Sequence, residues 1–445
     1  MKIAKRKGFI KTIIALVIAM VLAMQPLTAL ANGNTADESE MRMAYLTEAA
    51  RDIVLADFDY LVEVILQNLP TQGVFARRFG VTLEDILADV RAEIIMPMVM
   101  LPAWGSVFLG DAWQDAPTDD LAIAADYLYA LLIEVFGGLF GGFAHMLPVT
   151  QTEYERIATS FLVLQYAVES GAYSGQASTG VAQMQAYIDM FLTPEALWFY
   201  NFNPEDIDAS DFSLLEAVLP AIDGNITTTS IEAGTIAYLR IGSWLSNPLL
   251  DSEILFPFFE SIQDYQHLII DVRGNSGGLP HYVTDFVIGM LIDEPLDFVF
   301  TEFIAGGAYA LAVIEDHLDS SISFGATAQG LVPAADFIAA NGLGLFELSD
   351  LAYMEYVVEW KLRVNPAVNN TPFAGEIWVL TDFYSASASE FFAHIAINTG
   401  FATVVGEPTM GVTGASTIYV VLPQTGILFR VDVASLVDAQ GRALE

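Results

Sequence analysis

The chain has 445 residues, of which 17 are Lys or Arg and 55 are Asp or Glu, and its formal net charge is −38. Because it contains no cysteine, a disulfide framework, a thiolate metal site and a cysteine nucleophile are excluded. The negative charge argues against nucleic-acid binding, which needs clustered basic residues, and 54% hydrophobic residues predict a packed globular protein of two or three domains.

The first 31 residues are typical of a secretory signal peptide. Five basic residues precede an apolar run of 12 residues, 13–24, and Ala29 and Ala31 provide the small side chains that a signal peptidase recognises. A membrane span needs about 20 apolar residues, so we expect cleavage after Ala31, no stable membrane span, and a secreted or cell-surface protein. The mature chain then keeps 12 of the 17 basic residues, carries a net charge of −43 and contains a single lysine, Lys361.

Apolar residues recur three and four apart from about residue 36 to 222, which predicts a helical N-terminal domain over 32–222. Polar and acidic residues that favour helix starts divide this region. The predicted helices are 43–69, 82–96, 121–136, 152–168, 181–191 and 212–218.

Near residue 225 the period changes, and strands alternate with helices, which predicts an α/β domain over 223–445. The β-branched runs 226–231 and 235–241 flank Glu232-Ala233-Gly234 and predict a hairpin. The further predicted strands are 268–272, 376–381, 403–405 and 416–422, and the predicted helices are 252–262, 282–292 and 386–396.

The first segment with possible chemistry is a buried strand, 267–271, that leads into Val-Arg-Gly-Asn-Ser-Gly277-Gly278. Glycines in such a turn allow backbone N–H groups to converge on a developing negative charge. An ordinary strand-to-helix turn has the same composition, so this segment alone does not distinguish the two.

The second segment ends a strand and places Ser385, Ser387 and Ser389 at the start of a helix. Free N–H groups and the helix dipole stabilise an oxyanion at such a position. The alternative is that Ser385 or Ser387 only caps the helix.

With Gly406-Glu-Pro-Thr-Met-Gly-Val-Thr-Gly414, the two segments resemble in order and spacing the motifs of the tail-specific, or C-terminal processing, serine peptidases, over about residues 225–445. The resemblance implies a Clp-protease/crotonase-like α/β catalytic domain after the α-helical N-terminal domain. It implies Ser387 as the nucleophile and the backbone N–H groups of Gly278 and Ala388 as the oxyanion hole.

The base is the point at which the chain departs from the family's Ser-Lys branch. Val412 occupies the position of that branch's lysine, and Lys361 lies before Ser387 in a strand-like segment without a motif. The chain instead resembles the tricorn-core-like branch, which uses Ser, His and Glu and takes its histidine from the helical domain. That resemblance implies His145 as the base, and His281, directly after the glycine turn, is the alternative.

The same branch implies Glu445 as the residue that orients the histidine. The chain stops where a C-terminal Gly-Val-Gly-x-x-Pro-Asp segment is expected, so we expect a truncated product. Between residues 150 and 225, where relatives often carry a peptide-binding PDZ domain, the pattern is helical.

The sequence therefore predicts a secreted serine endopeptidase that cleaves protein or peptide substrates. Since it contains no metal-binding, Walker or dinucleotide motif, we expect no cofactor. A second hypothesis is a catalytically degenerate relative that binds apolar peptides or lipids, and a third is a cell-surface protein whose sheet is only a scaffold.

Overall fold

A computed structural model of the chain describes the residues of ten segments. They are 46–95, 119–137, 145–171, 185–211, 214, 221–319, 326–328, 330–341, 349–411 and 416–438. The signal peptide predicted for residues 1–31 lies outside these segments. Among the described residues, no helix has both the length and the apolar character that crossing a membrane would require.

Helices make up most of the described chain before residue 222, as the periodicity predicts. They are α1 (Glu48–Asn68), α2 (Gln72–Phe79), α3 (Leu83–Ile95), α4 (Asp120–Leu132), α5 (Gln151–Glu169), α6 (Gln185–Phe191) and α7 (Pro194–Phe199). Thr47, Asp119 and Thr150 begin α1, α4 and α5 by accepting a backbone N–H from the first turn. Helices α2 and α7 are additional to the prediction, and the predicted helix 212–218 falls almost entirely outside the described residues.

The second half alternates between strands and helices. Its strands are β1 (Ile226–Glu232), β2 (Ile236–Ile241), β3 (His267–Asp271), β4 (Leu296–Ile304), β5 (Ala326–Ala328), β6 (Val332–Pro333), β7 (Tyr356–Val364), β8 (Glu376–Thr381), β9 (Thr403–Gly406), β10 (Thr417–Val421), β11 (Leu428–Asp432) and β12 (Ala434–Asp438). Its helices are α8 (Pro248–Ser261), α9 (Gly289–Leu291), α10 (Ala308–Asp319), α11 (Ala334–Asn341) and α12 (Ala388–Thr399). The predicted helix 282–292 is in fact a π-helical segment, Tyr282–Ile288, that continues into α9. The predicted α/β class with helices in front is confirmed.

The first sheet has the order β1-β2-β3-β8-β9. The predicted hairpin β1–β2 is antiparallel, and every other pair in the sheet is parallel. Strand β3 reads His-Leu-Ile-Ile-Asp, and Leu268 and Ile270 on one face are fully buried, whereas Ile269 on the other face is partly buried.

The sequence pattern did not predict a second sheet, of order β12-β4-β7-β5. Nine consecutive pairs join β4 to β7, from Leu296 with Val364 to Ile304 with Tyr356. A separate hairpin, β10–β11, is extended by a bridge between Pro148 and Phe429, so the segment after residue 145 lies beside β11.

One hydrophobic core joins α1, α3 and α4 to both sheets. Helix α1 also holds the turn between β10 and β11, because the buried carboxylate of Asp57 accepts the N–H groups of Gln424 and Thr425 at 2.9 and 2.8 Å. A smaller aromatic cluster, centred on Tyr154, Phe191 and Tyr200, packs α5 and α6 against Leu428 of β11. The helical region thereby fixes the hairpin that includes β11.

Candidate active site

Three strands of the first sheet end at the same edge. Strands β2, β3 and β8 are parallel neighbours, with Arg240 beside Asp271 and Asp271 beside Leu380. The segments that follow them, 242–246, 272–279 and 382–388, therefore meet beyond their carboxyl ends, which is where α/β sheets commonly form a functional crevice.

Asn275 organises the turn after β3. Its side chain is fully buried, donates to the carbonyl of Ile241 at 3.1 Å and accepts the N–H of Gly277 at 3.0 Å. Its own carbonyl accepts the N–H of Ala386 at 3.1 Å. The turn is therefore bonded to the end of β2 on one side and to the segment after β8 on the other.

The two glycines of the turn permit a close approach of backbones. Gly277 and Gly278 have φ angles of +104° and +143°. A Cβ atom at Gly277 would lie 2.6 Å from Cβ of Ser387, and one at Gly278 would overlap the main chain of Trp244. Only glycine satisfies both the backbone angles and the available space.

Ser387 lies at a strained strand-to-helix junction. Its φ and ψ are 53° and −115°, and it directly precedes α12. Positive φ in a residue other than glycine costs about 1–3 kcal/mol and is found mainly at functional sites that the surrounding structure holds in place. In this conformation Ser387, at the start of α12, lies directly against Gly277 of the turn.

The three serines of the motif have different surroundings. The hydroxyl of Ser385 is buried and donates to the carbonyl of Val272 at 2.9 Å. The hydroxyl of Ser389 is buried, donates to the carbonyl of Asn275 at 2.8 Å and accepts the indole N–H of Trp244 at 2.9 Å. Ser387 alone of the three is only half-buried, so it is the serine that a substrate can reach.

Glu390 holds the junction from inside the helix. One oxygen of its buried carboxylate accepts the N–H of Ser387 at 2.8 Å, and the other accepts the N–H of Gly411 at 2.6 Å. The N–H of Ser387 is thereby occupied. The N–H of Ala388, at the first position of α12, has no intrahelical acceptor because the first N–H groups of any helix lack one.

The N–H of Gly278 is directed by a neighbouring bridge. Trp244 donates its N–H to the carbonyl of Gly277 at 3.1 Å and accepts the N–H of Leu279 at 3.0 Å. In such a bridge the intervening residue has its N–H on the side away from its bridge partner. Strand β3 lies between β2 and β8, so that side faces β8, the strand that leads to Ser387. Neither Gly278 nor Ala388 donates its N–H to an acceptor among the described residues.

His145 is paired with a buried carboxylate. Its Nδ1 lies 3.2 Å from Oδ1 of Asp432, and its backbone N–H donates to Oδ2 of the same carboxylate at 2.8 Å. The Asp432 side chain is 7% exposed and the His145 side chain 22% exposed. The imidazole is therefore held at the nitrogen nearer its backbone, and part of the ring remains accessible.

Arg430, two residues before Asp432 on the same face of β11, supports this pair. Its side-chain Nε donates to the carbonyl of His145 at 3.3 Å, and its backbone N–H donates to the carbonyl of Leu147 at 3.0 Å. Its guanidinium also forms an ion pair with Glu153 of α5 at 3.4 Å. The segment that carries the histidine is thus fixed on both sides.

The other predicted site residues have different positions. Glu445 and Val412 lie outside the described residues, so the assignment of Glu445 stays a prediction. His281 is half-buried at the start of the π-helical segment, and its ring forms no hydrogen bond with a described residue. Lys361 lies on β7 of the second sheet, 53% exposed and 3.9 Å from Glu359. Within the described part of the chain, no hydrogen bond joins Ser387 to a histidine side chain.

Sequence reasoning missed three residues of this region: Trp244, Glu390 and Asp432. The signal for Asp432 was an acidic residue in the run Leu428–Val433, in which only Arg430 and Asp432 are charged, and a charged residue is buried only with a partner. The signal for Glu390 was its position three residues after Ser387, which is the spacing of a capping box. Trp244 had no comparable signal.

A half-buried serine at a strained strand-to-helix junction, beside two N–H groups without an acceptor among the described residues, is an arrangement typical of serine-type hydrolases. Residues 235–445 match the model of peptidase family S41. The matched residues, 211 of 445, include the glycine turn and Ser387, so this part of the chain is a serine peptidase domain of family S41.

Several solved structures are similar to the chain, whereas no curated protein matches it. A putative peptidase from Parabacteroides merdae is 16% identical, with 77% of this chain and 84% of that chain covered and a TM-score of 0.38. Mature CPAF complexed with lactacystin is 13% identical, with 89% and 92% covered and a TM-score of 0.44. The photosystem II D1 C-terminal processing protease is 19% identical, with 50% and 46% covered and a TM-score of 0.30.

Proposed function

We propose that the protein is a secreted serine endopeptidase in which Ser387 is the nucleophile and His145 the base. Ser387 Oγ attacks the carbonyl carbon of a peptide bond while His145 takes the hydroxyl proton. The N–H groups of Gly278 and Ala388 bind the carbonyl oxygen as it becomes negative. His145 then gives the proton to the leaving amine, and water releases the acyl group by the same steps.

The observation that carries this proposal is the strained backbone of Ser387. A residue at φ 53° would ordinarily be glycine or asparagine, and the alternative role as a simple helix cap needs no such strain. Ser387 and Glu390 have the arrangement of a capping box, but capping alone does not explain the strain, whereas a functional role does.

The pairing of His145 with Asp432 supports its role as the base. A hydrogen bond from Nδ1–H to the carboxylate leaves Nε2 unprotonated and able to accept the serine proton. It also stabilises the imidazolium formed after transfer. His281 has no such carboxylate among its described contacts.

The test is labelling of the mature protein with a fluorophosphonate probe, followed by hydrolysis of a protein substrate such as casein. We expect Ser387→Ala to abolish labelling and His145→Ala to slow it at least 100-fold, whereas His281→Ala, the matched control, labels normally. Equal labelling of wild type and Ser387→Ala would refute the nucleophile. If His281→Ala is labelled slowly and His145→Ala at the wild-type rate, His281 is the base.

Export is part of the proposal and rests on the basic residues and apolar run of residues 1–24. Expression of the full chain with its own N-terminus should give a mature protein that begins at Asn32, outside the cytoplasm. N-terminal sequencing checks this. A protein that keeps Met1 and remains in the cytoplasm would contradict it.

A non-catalytic binding protein is the second candidate. It is favoured by four exposed apolar side chains beside the Trp244 bridge, which are 42–68% exposed: Leu245, Leu249, Leu250 and Ile254. This role would be favoured if the protein does not react with the fluorophosphonate probe and is purified with a bound apolar peptide or lipid, identified by mass spectrometry. Any hydrolysis that depends on Ser387 would count against it.

A further inference from the structure

The two N–H groups assigned to the oxyanion come from separate segments of the chain. Gly278 belongs to the turn after β3, and Ala388 begins α12. An oxyanion hole requires both donors to lie about 2.7–3.1 Å from one oxygen, so the separation of these segments must be fixed by contacts outside the hole.

Ser389 provides one such contact. Its hydroxyl is fully buried and donates to the carbonyl of Asn275 at 2.8 Å. Since Ser389 follows Ala388 in α12 and Asn275 begins the glycine turn, this bond joins the two donor segments directly.

Trp244 closes the connection from the other side. Its main chain flanks Gly278 through the bonds to Gly277 and Leu279, and its fully buried indole donates Nε1–H to the hydroxyl of Ser389 at 2.9 Å. The segments after β2, β3 and β8 thus form a closed ring of hydrogen bonds in which one hydroxyl both accepts and donates.

We infer that Trp244 and Ser389 are positioning residues that set the separation of the Gly278 and Ala388 N–H groups. This inference rests on the proposed function. Loss of the Ser389 hydroxyl leaves the buried indole N–H and the Asn275 carbonyl without a hydrogen-bond partner. Because this is costly, we expect the two segments to shift until each group finds another partner. The effect falls on stabilisation of the oxyanion and leaves initial binding of the substrate intact.

The experiment compares Ser389→Ala, Trp244→Phe and the double variant by the kinetics of fluorophosphonate labelling, since the phosphonyl oxygen occupies the oxyanion hole. Removal of a whole donor costs roughly 100- to 1,000-fold. Because a displaced donor costs less, we expect the maximal labelling rate of each single variant to fall roughly 10- to 100-fold. The probe concentration for half-maximal rate should change by less than about threefold.

The double variant should label no more slowly than the slower single variant, because both changes break the same hydrogen bond. Trp360→Phe is the matched control, since it also removes a buried indole N–H that donates to a side chain, Glu302 at 2.8 Å, but on β7 of the second sheet. It should lose comparable stability to heat and label at the wild-type rate.

Folded single variants that label at the wild-type rate would overturn the inference and leave the proposed function standing. A double variant that multiplies the two losses would overturn it as well, because the residues would then act separately. If Trp244→Phe fails to fold, Ser389→Ala alone decides. A wild-type protein that takes up no probe would overturn the proposed function and, with it, this inference.

Discussion

Asp432 contacts His145 through two groups at once, the backbone N–H and the ring. A carboxylate that forms both contacts fixes the position of the imidazole and also its tautomer. The pairing joins residues 287 positions apart, so the carboxylate beside His145 comes from the hairpin strand β11.

Asp432→Asn should keep the contact with the backbone N–H and lose the acceptor for Nδ1–H. We expect kcat to fall by roughly 100-fold or more, with KM nearly unchanged, because the wrong tautomer of His145 presents a proton to Ser387. Steady-state kinetics on a peptide that the wild-type protein cleaves provide the measurement.

Glu445→Gln is the comparison for this variant, because the family resemblance implies that residue as the orienting acid. If Asp432→Asn keeps its full kcat and Glu445→Gln loses it, the orienting role belongs to Glu445. A similar loss of kcat in both variants would indicate that the two carboxylates act together.

At the scale of elements, the site depends on how closely the turn after β3 packs against the start of α12. Gly277 contacts Ser387 where any side chain would collide. Gly274, in the same turn, also has positive φ, at +75°, but no atom lies within 4 Å of its missing Cβ. Substitution of Gly277 and of Gly274 therefore separates the effect of crowding on stability from the effect of a positive φ alone.

Gly277→Ala should lower the free energy of unfolding by more than about 2 kcal/mol and abolish labelling of Ser387, since the turn must move away from α12. Gly274→Ala should cost about 1 kcal/mol, from its backbone angle alone, and label normally. Urea unfolding and fluorophosphonate labelling test both variants. Equal stability and activity in the two would show that the close approach does not exist in solution.

At the scale of the whole molecule, the excess of acidic residues and the carboxylates that the fold buries both influence how folding stability depends on pH. Burial raises the pKa of Glu302 to about 7, against the opposing effect of hydrogen bonds from Trp360 and Ser416. Burial likewise raises the pKa of Asp57. Both groups bind protons more tightly in the folded chain than in the unfolded chain.

The protein should therefore lose stability as the pH rises. A carboxyl group with a folded pKa near 7 and an ordinary unfolded pKa of 4.5 stabilises the fold fully below pH 4.5, and this contribution disappears between pH 4.5 and 7. The change for Glu302 is about 3 kcal/mol. Repulsion among the surface carboxylates acts in the same direction.

Glu302→Gln isolates the buried group from the surface charge. We expect its free energy of unfolding, measured in urea from pH 5 to 8, to fall less steeply than that of the wild-type protein and to exceed it at pH 8. Glu232→Gln on the exposed part of β1 is the control and should follow the wild-type slope. Parallel curves for wild type and Glu302→Gln would contradict the raised pKa.

Much of the first sheet could be predicted from the sequence, because its strands and turns carry local signals. The run Leu268–Val272 is apolar except for Asp271, and the glycines after it mark the turn, so neither depends on distant residues. The second sheet was missed because β4 contains Asp297, Thr301 and Glu302 among its apolar residues. The buried Glu302 is tolerated only through Trp360 and Ser416, on separate segments.

The sequence by itself indicated the serine motif, the glycine turn, the lack of a lysine at the family's position and the α/β class. All of these follow from residue types that are adjacent or regularly spaced in the chain. The tertiary structure alone decided that Ser387 is the accessible serine, that His145 is paired with Asp432, and that Trp244 and Ser389 join the turn to α12. Those pairings depend on packing between segments more than 100 residues apart, for which the order of residues carries no local signal.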